Sequence, residues 1–322
     1  MVKITRQNFI KNLVLITGLT RSGKTMLAPI VASLERAEPL TMNYLMEQIP
    51  MSHILGLIPD DTAVCLMRYA IDTMFYDLMI GRNLNFRWGD LTSAWKSTRP
   101  IDCIKRLFAK EGDGVMKTIE GRNSFFLLMV HDALWHADLY FKSFPTAKMI
   151  HITRHPVHMV FDWYLKGYGA DFFENPRNAT LTVNCRSKQL PYYAAGWEEE
   201  FLNLPEIDRI IQMVKRLEDS HRRQYDALPE EIRRQVLIIP FERMLTEPHN
   251  HLDAICGFLG TSITKKTERI CRREKCPRQL NKQDLTREME QIKNMASESG
   301  MDSLISMMRE YEDRYQTQKI YS

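Results

Sequence analysis

The sequence lacks the usual marks of an exported, membrane-spanning or nucleic-acid-binding chain. Its six cysteines (Cys65, Cys103, Cys185, Cys256, Cys271, Cys276) form no CxxC pair and no regular framework. That excludes a disulfide scaffold or zinc ribbon and points to a reduced, cytoplasmic setting. The longest apolar run, Phe125 to Val130, is far too short to span a bilayer, and the opening MVKITRQNFIKN has no apolar core of signal-peptide length. No membrane span is expected, and the sequon Asn178-Ala179-Thr180 reads as a chance match. A net charge of +4 is too small to argue for nucleic acid. No Gly/Ser-rich linker, repeat or composition break marks a boundary. The expectation is one α/β domain over residues 1–322, with helical insertions near 43–110 and 190–228 and a C-terminal helical extension near 284–322.

What the sequence does have is core and one sharp motif. At 322 residues, 44 % hydrophobic and 26 % charged, it can bury a large interior. Short apolar runs at Leu13–Thr17, Val115–Thr118, Lys148–Thr153 and Val236–Pro240 read as buried strands, with Pro39–Met42 as a further candidate. Helical patterns follow each, so the expected architecture is a parallel β-sheet flanked by helices, of the P-loop nucleotide-binding type. Residues Gly18 to Thr25 read GLTRSGKT between the first strand and a helical run. Glycines there let backbone N–H groups approach phosphate oxygens, and the opening helix adds its positive dipole end. Lys24 supplies a mobile positive charge, and Thr25 a hydroxyl for a phosphate oxygen or magnesium ion.

A second phosphate element lies in Ala147 to Tyr164. There a strand ends at Arg154, and Pro156 suits the first turn of the next helix. An arginine at a strand's C-terminal end can grip a phosphate with two parallel N–H bonds. The competing reading is a surface arginine capped by a carboxylate. His151, His155 and His158 straddle a strand-to-helix junction, which scatters their directions and argues against a metal site.

Together these segments resemble the sulfotransferase family, whose donor is 3′-phosphoadenylyl sulfate. Thr20-Arg21-Ser22-Gly23-Lys24-Thr25, followed by Met26-Leu27, is similar to the family's 5′-phosphosulfate loop. Phe144 to Pro156 looks like its approach to the 3′-phosphate element, Arg-x-Pro-x-Asp-x-x-x-Ser. The stretch Val236 to Gly260 is similar to the family's late strand, turn and FLG helix end, and Val115-Met116-Lys117-Thr118 to a strand ending in Lys-Thr. The resemblance spans roughly Leu13 to Gly260, with unmatched helical stretches between. Three positions depart from the pattern. Asp162 stands where the family has a serine that donates to the 3′-phosphate, His158 replaces an aspartate, and Lys24 replaces a threonine. An ionised carboxylate cannot donate and would repel phosphate unless a cation intervened. Asp162 therefore points away, is neutralised by His158 or an arginine, or marks an altered donor site.

The resemblance implies in-line sulfuryl transfer to an acceptor hydroxyl or amine, releasing 3′,5′-adenosine bisphosphate, with no metal expected. By likeness, Arg21 would contact the phosphosulfate bridge. Thr20, Ser22, Gly23, Lys24, Thr25 and Met26 would form the 5′-phosphate cradle, Arg154 and Asp162 the 3′-phosphate end, and Lys117 would steady the transferring group. Glu120 and Glu47 are the leading candidates for general base, with His53 and His131 behind them. The basic run Lys265, Lys266, Arg269, Arg272, Arg273, Lys275, Arg278 is a candidate for closing over the nucleotide; no aromatics interleave it, which argues against nucleic acid. The acceptor remains open among small molecules, glycans, lipids and peptides, as does the oligomeric state. Two alternatives stay in view. Lys24 and Thr25 also suit a P-loop kinase acting on a small molecule with ATP and magnesium, although the sequence offers no obvious strand ending in a magnesium-binding aspartate. Asp162 also suits a noncatalytic relative.

Overall fold

A computed structural model describes residues 4–121, 123–169, 181–317 and 320; the sequon at Asn178 lies outside them. Its centre is strand β1 (Leu13–Thr17), whose five residues are all buried. Leu13 and Leu15 enter one apolar cluster, while Val14 and Ile16 enter another on the opposite face. A strand covered on both faces reads as one unbroken apolar run, which is why it is plain in the sequence. Around it lie β2 (Thr41–Met42), β3 (Phe126–Met129), β4 (Lys148–Thr153) and, after an antiparallel hairpin of β5 (Thr182–Cys185) and β6 (Lys188–Pro191), β7 (Val236–Pro240). The five-stranded sheet has the order β2-β3-β1-β4-β7 and every pairing in it is parallel.

Helices make the crossovers. Helix α1 (Lys24–Val31) returns the chain from β1 to β2. Helices α2 (Leu45–Ile54), α3 (Asp60–Met79), α4 (Pro100–Arg106) and α5 (Asp113–Gly121) fill the passage to β3. Helix α6 (Ala137–Ser143) leads to β4; α7 (Pro156–Leu165), α8 (Glu198–Asn203), α9 (Glu206–Ala227) and α10 (Glu230–Arg233) lead to β7. The chain then runs through α11 (Phe241–Thr246), α12 (Pro248–Leu259), α13 (Lys265–Arg273), α14 (Lys282–Lys293) and α15 (Glu298–Tyr315). Residues of α3 and α6 build the core on one face of the sheet, and those of α1 and α12 on the other. A third cluster joins α7, α9 and α15 through Trp163, Ile210, Ile211 and Leu304.

The structure corrects one strand. Val115–Thr118 belongs to helix α5, where Val115 and Ile119, four residues apart, turn the same way into the core. The strand beside β1 is instead Phe126–Met129, whose four residues are all buried. The helical region before it is tied to the sheet by a buried ion pair between Arg106 and Glu38. No helix among the described residues is long and apolar enough to cross a membrane.

Candidate active site

Parallel strands all end at one edge of the sheet, and the loops after them share that edge. After β1 comes the glycine loop. Gly18 has φ +151°, and a Cβ there would lie 2.2 Å from Ile152 O. Gly23 has φ +108°, and a Cβ there would lie 2.3 Å from the Phe241 ring. Both positions therefore demand glycine, for backbone conformation and for close approach. The loop closes through Ser22 N–H to Leu19 O (3.1 Å), and α1 starts with Leu27 N–H to Gly23 O (3.1 Å). Lys24 is folded back on this loop: its Nζ donates to Gly18 O at 2.7 Å and Leu19 O at 2.6 Å. Burial drives its pKa from 10.5 down to about 8, while the Asp132 and Glu47 carboxylates pull it upward. Arg21 and Thr25 are exposed at the mouth, Thr20 and Met26 are half-buried, and Ser22 is buried.

Next to this loop, at the end of β4, stands Arg154. His155 caps α7 by accepting from Val157 N–H at 3.3 Å, and Pro156 takes the first turn. The Arg154 guanidinium lies 5.1 Å from the centre of the Phe241 ring, within stacking range, and Arg278 lies 5.9 Å from the same centre. Arg154 Nη1 donates to Asp162 Oδ2 at 2.6 Å and to Arg21 O at 2.9 Å, and Arg21 Nη2 lies 3.6 Å from the same Asp162 oxygen. Asp162 is thus neutralised by two arginines. His158 is engaged elsewhere, its Nδ1 against Glu288. Among the described residues no cluster of His, Cys, Asp or Glu has the makings of a metal site.

A different chemistry occupies the ends of β2 and β3. Glu47, on the first turn of α2, accepts with one oxygen from both His131 N–H and His131 Nδ1, each at 2.8 Å. A carboxylate partner fixes the tautomer, so Nδ1 carries the proton and Nε2 keeps its lone pair. Asp132 follows with φ +53° and its N–H 3.5 Å from Gly18 O, which brings it against the glycine loop. Burial lifts its carboxyl to about 6 against the opposing pull of His131 and Lys24. His221 Nε2 stands 3.7 Å from Asp132 Oδ1, and neither atom has a hydrogen-bond partner among the described residues. Burial keeps His221 well below its ordinary value and pushes His136 and His151 down to about 3. These three imidazoles are neutral at physiological pH.

Other expected residues are not brought here. Lys117 and Glu120 are exposed on α5, which ends just before β3 begins. They stand toward the opposite, N-terminal edge of the sheet, where Asn12 Nδ2 reaches Ser124 O at 3.3 Å. His53 is paired with Asp60. The basic run divides: α13 packs on α1, with Thr264 Oγ1 donating to Ser33 O at 2.9 Å, and Arg278 is the member that reaches Phe241. The sequence reading missed Asp132 altogether. Its signal was there, since FFLLMV followed by His-Asp is a buried strand with two ionisable groups at its end.

Against known proteins, a model of the sulfotransferase family matches residues 14–265. A sulfotransferase domain from the curacin biosynthetic pathway is similar in structure at 12 % identity, covering 80 % of this chain and 77 % of that one, with a TM-score of 0.46. A sulfotransferase from Mycobacterium avium is similar at 12 % identity over 95 % of this chain and 77 % of that one, also at 0.46. The sulfotransferase domain of the Synechococcus PCC 7002 olefin synthase is similar at 15 % identity over 83 % and 78 %, at 0.42. No curated protein sequence matches significantly.

Proposed function

This chain belongs to the sulfotransferase family, and from that premise we propose that it transfers a sulfuryl group from 3′-phosphoadenylyl sulfate to an acceptor hydroxyl or amine. One observation carries the reading. The glycine loop, Arg154 and the Glu47–His131 pair stand at the C-terminal ends of neighbouring strands in one parallel sheet, where a ligand can span them. The loop's backbone, Lys24 and Thr25 suit the 5′-phosphate, with Thr20, Ser22, Gly23 and Met26 shaping the cradle. Arg21 suits the sulfate-bearing bridge. The convergence of Arg154 and Arg278 on Phe241, with Arg154 Nε buried and unpartnered among the described residues, fits a further phosphate.

The chemistry follows from these placements. His131 Nε2, oriented by Glu47, takes the proton of the acceptor while the acceptor oxygen or nitrogen bonds to sulfur. The bond from sulfur to the donor's bridging oxygen breaks, and that oxygen keeps the electron pair. Its growing charge falls to Arg21 and Lys24. A positioned base contributes about 10²–10⁴ in rate, and a preorganised cation about 10²–10³. Lys117 and Glu120 take no part.

A second reading has one observation in its favour. Asp132, at the end of β3 beside Lys24, stands where a kinase would hold magnesium. Calorimetric titration with 3′,5′-adenosine bisphosphate, 5′-AMP and ATP-magnesium separates the two. Binding that needs the 3′-phosphate and weakens in Arg154→Ala supports the donor site. Binding of ATP-magnesium with indifference to the 3′-phosphate would replace it with the kinase.

A further inference from the structure

At the outer end of the proposed donor site the chain supplies an anion of its own. Asp162 lies on α7, eight residues beyond Arg154, and its Oδ2 accepts from Arg154 Nη1 at 2.6 Å. The same oxygen lies 3.6 Å from Arg21 Nη2. Arg154 is held in place by its bond to Arg21 O at 2.9 Å and by the Phe241 ring 5.1 Å below. The Arg154 and Asp162 side chains are 17 % and 24 % exposed, so the pair is sheltered and yet open to a ligand arriving from solvent. Two guanidiniums, Arg21 and Arg154, therefore hold a single carboxylate, and Arg278 lies over the same Phe241 ring as Arg154. This is the arrangement a bound phosphate would adopt, with the carboxylate in its place.

We infer that Asp162 is an internal competitor for the donor's outer phosphate. It holds Arg154 and Arg21 while nucleotide is absent and must yield Arg154 when a 3′-phosphorylated nucleotide binds. The inference rests on the donor reading above. An ionised carboxylate can only accept hydrogen bonds, so beside a phosphate it either gives way or repels. Every 3′-phosphate that enters first breaks a charge-assisted bond, and the site gains less from that phosphate than one lined by a hydroxyl would. The cost falls equally on donor and on the bisphosphate product, which carries the same group. Asp162 is thereby a specificity-determining residue: it mutes the preference for 3′-phosphorylated nucleotides and hastens loss of the spent one.

The test is a ratio, the affinity for 3′,5′-adenosine bisphosphate divided by that for 5′-AMP, measured by calorimetry in the whole chain. Asp162→Ser introduces a donor, and Asp162→Asn keeps the shape while removing the charge. Both variants are expected to raise the ratio by about tenfold or more, with 5′-AMP affinity itself unchanged. Adding Arg154→Ala to Asp162→Ser should abolish the gain, and dissociation of the bisphosphate should slow in each single variant. A wild-type ratio well above one that both variants leave unchanged or lower would overturn the competitor role, with Asp162 then ordering Arg154 for the phosphate. A ratio near one in wild type that rises in the variants supports it most strongly. A ratio near one in all of them overturns this inference and the donor reading together.

Discussion

On the β4 side of the strand-end edge, charge is met by opposite charge: Asp162 lies between Arg154 and Arg21, and Arg154 lies over Phe241. On the β3 side it is not. Asp132 is buried with one oxygen unpartnered among the described residues, three buried imidazoles near it are neutral, and His131 is taken up by Glu47. The first arrangement holds cations ready for an anionic ligand at little cost to the fold. The second buries ionisable groups without full compensation, which destabilises the native state and marks where proton chemistry belongs. Lys24 joins the two halves, since it sits in the loop of one and feels the carboxylates of the other.

Breaking that junction should have the largest effect. Lys24→Met is expected to lower kcat by about 10²–10³ in a sulfuryl-transfer assay, the usual loss for a preorganised charge at the reacting bridge. Lys24 also gives donor binding a pH signature. With a folded value of about 8 against 10.5, native Lys24 sheds its proton first as pH rises between those values. An anionic nucleotide prefers the charged lysine, so affinity should fall as pH climbs through 8. The same proton loss relieves the native state, so stability carried by this group should rise over that window. A pH-independent affinity, or one that Lys24→Met leaves equally pH-dependent, would refute the assignment.

The proton-handling half is tested next. His131→Ala should cost about 10²–10⁴ in kcat. Glu47→Gln, which keeps one acceptor oxygen to orient the ring, should cost less. Equal losses in both variants would make Glu47 itself the base. Asp132 is expected to trade stability against function. Its folded value of about 6 exceeds the ordinary 3.8, so its burial penalty is absent below about pH 4, grows as pH rises to 6 and is full above. Asp132→Asn should therefore stabilise the chain by about 1–3 kcal/mol at pH 7 and by little at pH 4. Thermal melts at the two pH values decide this; a variant equally stable or destabilised at both would show the carboxylate to be compensated after all.

The same contrast decides what the sequence made legible. The donor half is written in contiguous residues: the glycine loop needs Gly18 and Gly23 for conformations and contacts that alanine cannot supply, and β1 and β4 are buried on both faces. The charge problem posed by Asp162 was visible too, with neutralisation by an arginine among its foreseeable solutions. The proton-handling half joins residues with no spacing to reveal them, since Glu47 and His131 are 84 positions apart. It also depended on the right strand. Val115–Thr118 imitates a strand because a β-branched residue and a methionine stand together over four positions, too few to separate a period of 2 from one of 3.6. Phe126–Met129 carries no polar alternation and was legible only as grease.

The smallest expected effect follows from that exchange of strands and sharpens the contrast. Sequence likeness assigns Lys117 to the transferring group and Glu120 to the base, whereas both are exposed on α5. That helix leads into the N-terminal end of β3, while the glycine loop and His131 follow the C-terminal ends of β1 and β3. Charges that far apart and open to water are screened within about 10 Å at ordinary salt. Lys117→Ala and Glu120→Gln should therefore leave kcat and KM within about twofold of wild type, and stability within about 0.5 kcal/mol. A tenfold loss of kcat in either variant, without a change in melting temperature, would mean that α5 closes over the donor during turnover and would return the acid–base chemistry to the helix.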